Sequence, residues 1–377
     1  MARRDGAERR ESKQNESQGR RARWWLWLSV FLLTIISATT FIVTNGIGTV
    51  RQKNTRDSGG ENMLEHMRQR DFAKMEELAQ KWLQEGRNRP VAHYVLATIE
   101  AAQGEWDAAD SRMETAIEAL DMAAEERSVW MCWVQLYDGH SPCKLEPRPD
   151  DFFRVVDNAI RAKPDDDDLH RFLIHRIFWL VQKIQANGEP AIERVIGNTR
   201  NLAEKHPDNG WVRWGLGRLM RNYAFDMQGA VSQLALAARL SPETRPIRYE
   251  LGDTYLLIGE PAKAEQELTV ALEIPPPEMV TVDDAVILLR LGVAQVLQGQ
   301  FQRAQATCQA CREWGRKQFG EHFQYQPLDA LERLLERLHT GNAINDDLID
   351  ALATSMTDVE KHRQLIRRHL TEALTQE

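Results

Sequence analysis

The chain has few cysteines, no excess of basic residues and no strand-like patterning in its main body. Four cysteines in 377 residues cannot form the framework of a disulfide-rich secreted domain. A net charge of -8 argues against nucleic acid as the main partner, because phosphate binding needs a basic surface. Apolar and polar residues do not alternate after residue 61, so the sequence predicts an all-helical body.

Sequence motifs of catalysis and cofactor binding are also missing. The chain contains no nucleophile elbow, phosphate-binding loop, HExxH motif or dinucleotide fingerprint. Its content of 42% hydrophobic and 28% charged residues is typical of a folded body and excludes wholesale disorder or a polytopic membrane protein. We therefore expect a protein that is not an enzyme and that holds no cofactor and no metal.

One long apolar run stands near the amino terminus. Residues 24–44 contain no charged side chain, and 21 helical residues span the roughly 30 Å hydrocarbon core of a bilayer. Residues 1–23 carry eight basic and four acidic side chains, and Trp24, Trp25 and Trp27 lie at the boundary. The excess of basic residues predicts a cytoplasmic tail over 1–23, a transmembrane helix over 24–44 and an extracytoplasmic body.

A cleaved signal peptide is the main alternative to this anchor. Signal peptides have shorter apolar regions of about 7 to 15 residues and a small-residue cleavage site. The run is longer here, and residues 41–46 contain no A-x-A pattern, so we favour an uncleaved anchor. Residues 45–60 are rich in Gly, Asn, Thr and Ser and predict a flexible tether.

The body after the tether contains an internal repeat. Apolar residues recur at spacings of three and four, as in amphipathic helices. Leucine–glycine pairs recur 35 and then 40 residues apart: Leu216-Gly217, Leu251-Gly252 and Leu291-Gly292. Alanines recur 34 and 40 residues apart: Ala230, Ala264 and Ala304. A period of this length indicates a stack of helix pairs.

These residues resemble the tetratricopeptide repeat (TPR), in which two antiparallel helices occupy about 34 residues. The clearest copy is 245–278, and its residues match the leucine-glycine, tyrosine, turn, small-residue and proline positions of the repeat: Leu251, Gly252, Tyr255, Gly259, Ala264, Ala271 and Pro276. Gly252 and Ala264 would let the two helices approach closely, Gly259 would permit the turn, and Pro276 would end the second helix. The resemblance implies an all-α, right-handed α-α superhelix.

The resemblance covers residues 61–318 and is clearest over 90–123, 210–244, 245–278 and 284–317. Residues 124–209 are degenerate but still predict paired helices. Residues 319–377 lack the repeat and contain amphipathic helices, which we expect to cap the last repeat.

The resemblance also implies where a partner would bind. TPR proteins generally hold a peptide or helix from another protein against the first helices of their repeats. The equivalent positions in this chain are Trp211, Trp214, Arg218, Arg221, Asn222, Tyr249, Asp253, Leu256 and Leu257. Arginines beside aromatic rings suit an acidic or carboxylate-ended peptide. The next repeat offers an apolar end, Leu289, Val293, Val296 and Leu297, which suits an amphipathic helix from a partner or from the chain's own C-terminal region.

The expected function is therefore a membrane-anchored scaffold that binds other proteins. The chain resembles bacterial anchored repeat proteins that assist envelope assembly, secretion or protein maturation, which implies a single-pass protein of the bacterial inner membrane. An architectural role, in which the repeats of several copies associate on the membrane, is an alternative.

The cysteines support a further alternative, a redox- or metal-linked accessory protein. Cys308 and Cys311 form a CxxC, but in repeat register they occupy packing positions of a second helix. Cys132 and Cys143 flank a loop that also contains His140. In an oxidising compartment these two cysteines would be candidates for a disulfide, and a metal site or unpaired thiols are the other interpretations.

Overall fold

The computed structural model describes residues 58–119, 123–185, 188–276, 283–321 and 323–340, together with positions 349, 364, 367 and 368. The predicted basic tail, the predicted transmembrane helix and most of the predicted tether lie outside the described residues. Over the described ranges the fold is all helical, as the sequence predicts. None of the helices within those ranges combines the length and the apolar character needed to cross a bilayer.

The described ranges contain fifteen α-helices and one π-helical turn. In chain order they are α1 (Ser58–Gln69), α2 (Phe72–Gln84), α3 (Arg89–Ala102), α4 (Trp106–Glu118), α5 (Ala123–Tyr137), α6 (Pro149–Ala162), α7 (Asp167–Ile184), α8 (Glu189–Lys205), α9 (Gly210–Leu219), the π turn (Met220–Ala224), α10 (Met227–Leu240), α11 (Arg245–Leu257), α12 (Pro261–Glu273), α13 (Asp284–Leu297), α14 (Phe301–Phe319) and α15 (Gln326–Thr340). The first helix begins at Ser58, inside the predicted tether.

The contacts divide the described residues into two compact units. The first contains the described residues up to Leu136 together with His140–Leu145, and the second contains Tyr137–Gly139 and the described residues from Glu146 onward. Helix α15, which lies in the segment predicted to cap the repeats, belongs to the second unit. The prediction of one repeat body over 61–318 stays a prediction.

Sequence determines where many helices of the second unit begin. Asp166, Asn209 and Asp226 precede α7, α9 and α10, and their side chains accept the backbone N–H three residues later at 3.0, 3.0 and 2.9 Å. Such caps satisfy donors that lack a partner in the first helical turn. The run of four aspartates from Asp165 is thereby explained as helix capping, with Asp167 and Asp168 in the first turn of α7.

The predicted close approach of paired helices is present in two consecutive pairs. A methyl group added to Gly217 would lie 2.8 Å from Leu234 Cγ, and one added to Gly252 would lie 2.8 Å from Leu268 Cγ. Both positions also face an alanine carbonyl of the partner helix, at 3.2 and 3.3 Å. Gly259 adopts a φ of +77° in the turn, where glycine is favoured. The repeat signature therefore reports a real packing contact.

A second contact repeats between the same two pairs. Arg213 Nε donates to the Pro207 carbonyl at 3.2 Å, and its Nη1 donates to Gln233 at 3.1 Å. Arg248 makes the same pair of contacts, to the Pro242 carbonyl at 3.2 Å and to Glu267 at 2.8 Å. The hydrogen bonds of these arginines connect the first helix of each pair to its second helix and to the preceding loop.

The third leucine–glycine pair has a different neighbour. A methyl group on Gly292 would lie 2.8 Å from Leu331 of α15. The predicted apolar end of the binding wall is buried in the same cluster as Leu328, Leu331, Leu334 and Leu335 of α15: Leu289, Val293, Val296 and Leu297. A C-terminal helix therefore packs on α13.

Candidate functional site

Helix α9, the π turn after it and α11 carry the nine residues that the resemblance assigned to the aromatic and basic part of the binding wall. The structure buries five of these nine: Trp211, Trp214, Arg221, Asp253 and Leu256. The other four are partly exposed: Arg218, Asn222, Tyr249 and Leu257. The part of the wall that a partner can reach is therefore smaller than the sequence suggested, and Arg218 is its cationic member.

An aromatic cluster lies beneath Arg218. The ring of Trp214 is 5.2 Å from His175, 5.5 Å from Phe178 and 5.5 Å from Trp211, measured between centroids. The contacts of Trp214 with Phe178 and Trp211 are edge-to-face, an arrangement that aromatic rings favour. The cluster joins α7 to α9 and gives Arg218 a rigid apolar floor.

Arg218 lies across this floor with its charge only partly balanced. Its guanidinium carbon is 4.6 Å from the Phe178 centroid and 5.5 Å from the Trp214 centroid, within cation–π range. Its Nε is 3.3 Å from Glu250 Oε1, and the side chain is 33% exposed. Glu250 is shared with Arg221, so this carboxylate does not belong to Arg218 alone.

Four polar atoms of this site are buried without a hydrogen bond among the described residues. They are the indole Nε1 atoms of Trp211 and Trp214, the Nε of Arg218, which is ion-paired with Glu250, and Glu250 Oε2, which is ion-paired with Arg221. His175 adds no positive charge, because burial lowers its pKa to about 4 despite a hydrogen bond from its ring to the Arg171 carbonyl. A partner can reach the site at the Arg218 side chain, because that side chain is 33% exposed.

Arg221 has a structural role that the sequence analysis did not foresee. Its Nη1 is 2.9 Å from Glu250 and 3.0 Å from Asp253, and Asp253 also receives Arg290 at 2.8 Å. Burial disfavours the charged form of Arg221, but Glu250 and Asp253 hold its pKa above the ordinary value. Arg221 and Asp253, predicted as groove residues, instead compensate each other inside the protein.

Four members of this site were not identified from sequence: His175, Phe178, Glu250 and Arg290. His175 and Phe178 belong to the degenerate segment, where the repeat signature gives no register. Their spacing of three along α7 is the signal that places them on one helix face.

The cysteines are all buried and unbonded. The Cys143 thiol donates to the Met67 carbonyl at 3.2 Å, and the candidate disulfide between Cys132 and Cys143 is not formed in the structure. Burial raises the pKa of Cys308 and Cys311 to about 12, which leaves little thiolate for redox chemistry. In the described ranges, His140 included, no group of three or more candidate ligands is arranged to hold a metal ion.

Comparison with known proteins finds similarity only among solved structures. No protein-family model matches the chain, and no curated protein matches it. One similar structure is TTC0263, a thermophilic TPR protein of Thermus thermophilus, with 19% identity, 51% of this chain and 91% of that chain covered, and a TM-score of 0.31.

Two further similar structures are also TPR proteins. YrrB, described as a TPR protein with an unusual peptide-binding site, is 14% identical over 58% of this chain and 91% of its own, with a TM-score of 0.33. A TPR protein from Parabacteroides merdae is 14% identical over 73% and 95% of the two chains, with a TM-score of 0.32. The repeated glycine–leucine contacts show that α9 packs on α10 and α11 on α12 in the same way.

Proposed function

We propose that this protein is a non-enzymatic scaffold that binds a carboxylate of a protein partner at Arg218. The observation that supports this proposal is the partly exposed guanidinium of Arg218, which lies against the rings of Phe178 and Trp214. Its one ion-pair partner at this site, Glu250, is shared with Arg221. A carboxylate is the matching acceptor, and hydrogen bonds to it are strengthened by the opposite charge.

The partial exposure of Arg218 fits a role in recognition. A guanidinium held against the rings of Phe178 and Trp214 loses little conformational freedom when it binds, so its donors are preorganised. Asn222 and Tyr249 are partly exposed members of the same predicted wall and supply polar groups for the rest of a peptide. We infer an acidic side chain or a chain terminus as the group recognised.

The test is capture of partners from intact membranes by crosslinking, affinity purification and mass spectrometry. We expect Arg218→Ala to lose a defined partner and Arg239→Ala to retain it. Arg239 lies on α10 and is exposed. Its substitution by alanine therefore removes the same charge as Arg218→Ala, but outside the wall. Equal capture by both variants would show that Arg218 is not the recognition residue.

We also propose that residues 24–44 anchor the scaffold in a bacterial inner membrane with the repeats outside the cytoplasm. The apolar run, its flanking tryptophans and the basic residues before it support this proposal. A role in envelope assembly, secretion or protein maturation is consistent with that location.

Membrane extraction and protease access test the anchor and its orientation. The full chain should resist alkaline carbonate extraction, whereas a chain lacking residues 1–44 should be released. In spheroplasts, added protease should digest the repeats. Release of the full chain by carbonate would contradict the anchor, and protection of the repeats would contradict the orientation.

A further inference from the structure

A polar cleft lies between α6 and α8. Its volume is about 270 Å³, and Arg154, Arg161, Asn198, Asn201 and Lys205 are among the residues that line it. The cleft falls in the degenerate part of the sequence, where no binding site was predicted. It lies on different helices from the Arg218 wall, which α9 and α11 carry.

Asp157 organises the charges at one end of this cleft. Its carboxylate is only 9% exposed and is contacted by three basic side chains. Arg161 and Lys205 both approach Oδ2, at 2.9 and 2.8 Å, and His206 approaches Oδ1 at 2.7 Å. The single carboxylate of Asp157 is therefore shared by two permanently charged cations and a histidine.

The two permanent cations face solvent with most of their surface. The side chains of Arg161 and Lys205 are 63% and 61% exposed. The other acid that lines the cleft, Asp150, is already ion-paired with Arg194. The lining thus has a surplus of positive charge, although the chain as a whole has a net charge of -8. A local surplus of this kind favours an anionic ligand.

Amide groups continue the cleft along α8. Asn198 and Asn201 are spaced three residues apart, which places them on one face of the helix. An asparagine amide offers both a donor and an acceptor, the combination that a peptide backbone requires. The cations and the amides together match an acidic residue within an extended chain better than a free ion.

We propose that the cleft between α6 and α8 docks an acidic segment of a protein partner, with a carboxylate at Arg161 and Lys205 and the peptide backbone along Asn198 and Asn201. This inference rests on the proposed function only in taking the partner to be a protein. The site is separate from Arg218, so either site can fail without the other.

The test uses the full-length protein in detergent and a fluorescein-labelled hexaglutamate peptide, with a hexaglutamine peptide as the neutral control. Fluorescence anisotropy should show saturable binding of hexaglutamate that weakens with added salt. Asn198→Ala combined with Asn201→Ala, and separately Lys205→Gln, should each weaken binding at least threefold. The two changes together should weaken it about tenfold, while Arg239→Ala, which removes an exposed charge outside both sites, should leave it unchanged.

Circular dichroism verifies that each variant is folded, because Lys205→Gln removes one of the partners of Asp157. The asparagine variant leaves all partners of Asp157 in place and keeps the test valid if Lys205→Gln fails to fold. Carbodiimide crosslinking should also join Lys205 to a glutamate of the peptide, and mass spectrometry of the digest should locate that amide bond.

Three results would overturn the proposal. Unchanged binding in all the cleft variants would do so, even if Arg218→Ala abolished binding and thereby supported the proposed function. Equal binding of hexaglutamine would remove the role of the carboxylate. Displacement of the peptide by inorganic phosphate at concentrations well below those needed for acetate would indicate a phosphate site instead.

Discussion

The carboxylate of Asp253 lies 3.0 Å from Nη1 of Arg221 and joins the end of one first helix to the next. Because Asp253 also receives Nε of Arg290 at 2.8 Å, this carboxylate connects three consecutive first helices. All three side chains are buried. Repeat stacks depend on contacts between neighbouring repeats, and here an ionic contact supplements the apolar ones.

Removal of Asp253 should therefore be strongly destabilising. Asp253→Ala removes a carboxylate that Arg221 and Arg290 share inside the protein, and breaking a buried pair costs about 3–5 kcal/mol. Urea unfolding monitored by circular dichroism measures the change. Arg303→Ala is the control, because Arg303 is 62% exposed where it pairs with Glu265, and such pairs contribute about 0–1 kcal/mol. Equal losses in both variants would contradict a structural role for the network.

Adding a methyl group at Gly252 should separate α11 from α12. The new carbon would lie 2.8 Å from Leu268 Cγ, and overpacking of this kind typically costs about 1–3 kcal/mol. Gly197→Ala is the matched control, because a methyl group there meets nothing within 4 Å. In a helix interior that change should stabilise by roughly 0.5–1 kcal/mol. Urea unfolding should thus give shifts of opposite sign, and a neutral Gly252→Ala would contradict the close approach.

Stability should fall as the pH drops below the ordinary range of histidine. His170 Nε2 donates to the Lys163 carbonyl at 2.8 Å, and Nδ1 accepts from Asn209 at 3.0 Å. Burial lowers the pKa of His170, and it lowers that of His175 to about 4. Protons therefore bind the unfolded chain more readily, so the stability is complete above about pH 6.5 and declines below it.

The decline should approach roughly 1.4 kcal/mol for each unit by which the folded pKa lies below the unfolded one. Urea midpoints at pH 7.5 and pH 5 measure it. His175→Phe should reduce the difference between the two midpoints, because the neutral ring has no proton to bind. A midpoint that does not change with pH would show that neither histidine is held neutral by the fold.

The four thiols should resist labelling in the folded protein. Burial raises the pKa of Cys132, Cys308 and Cys311 to about 12 and that of Cys143 to about 11. A thiol reagent at pH 8 should react slowly with the native chain. In denaturant, the same reagent should react with all four cysteines. Rapid native reaction at Cys308 or Cys311 would instead favour the redox alternative. Labelling of only two cysteines in denaturant without reductant would favour the predicted disulfide.

The sequence predicted the parts of the fold that depend on local spacing. The glycine at 252, the alanine at 264 and the turn at Gly259 are each required by the approach of two adjacent helices, so their spacing along the chain is sufficient to identify them. Register also predicted that Cys308 and Cys311 would pack, and both lie in the core cluster with Leu268 and Ala271.

The contacts between side chains of different repeats could not be predicted in this way. The resemblance assigned Arg221 and Asp253 to one binding wall, but spacing gives no information about whether two side chains meet each other or face a ligand. The cleft between α6 and α8 was missed because the repeat signature is weak there, so the sequence gives no register from which to pair Arg161 with Lys205.

The π turn at Met220–Ala224 accommodates one extra residue in its helix pair. The pair that contains it, 210–244, is one residue longer than the usual period of about 34. A π turn takes up one residue more than an α-helical turn, so the extra residue is stored within the helix instead of lengthening the connection. The following pair therefore keeps the arginine contact, from Arg248 to the Pro242 carbonyl, and the close approach of Gly252 to Leu268. An insertion here is absorbed locally, and its effect does not propagate along the stack.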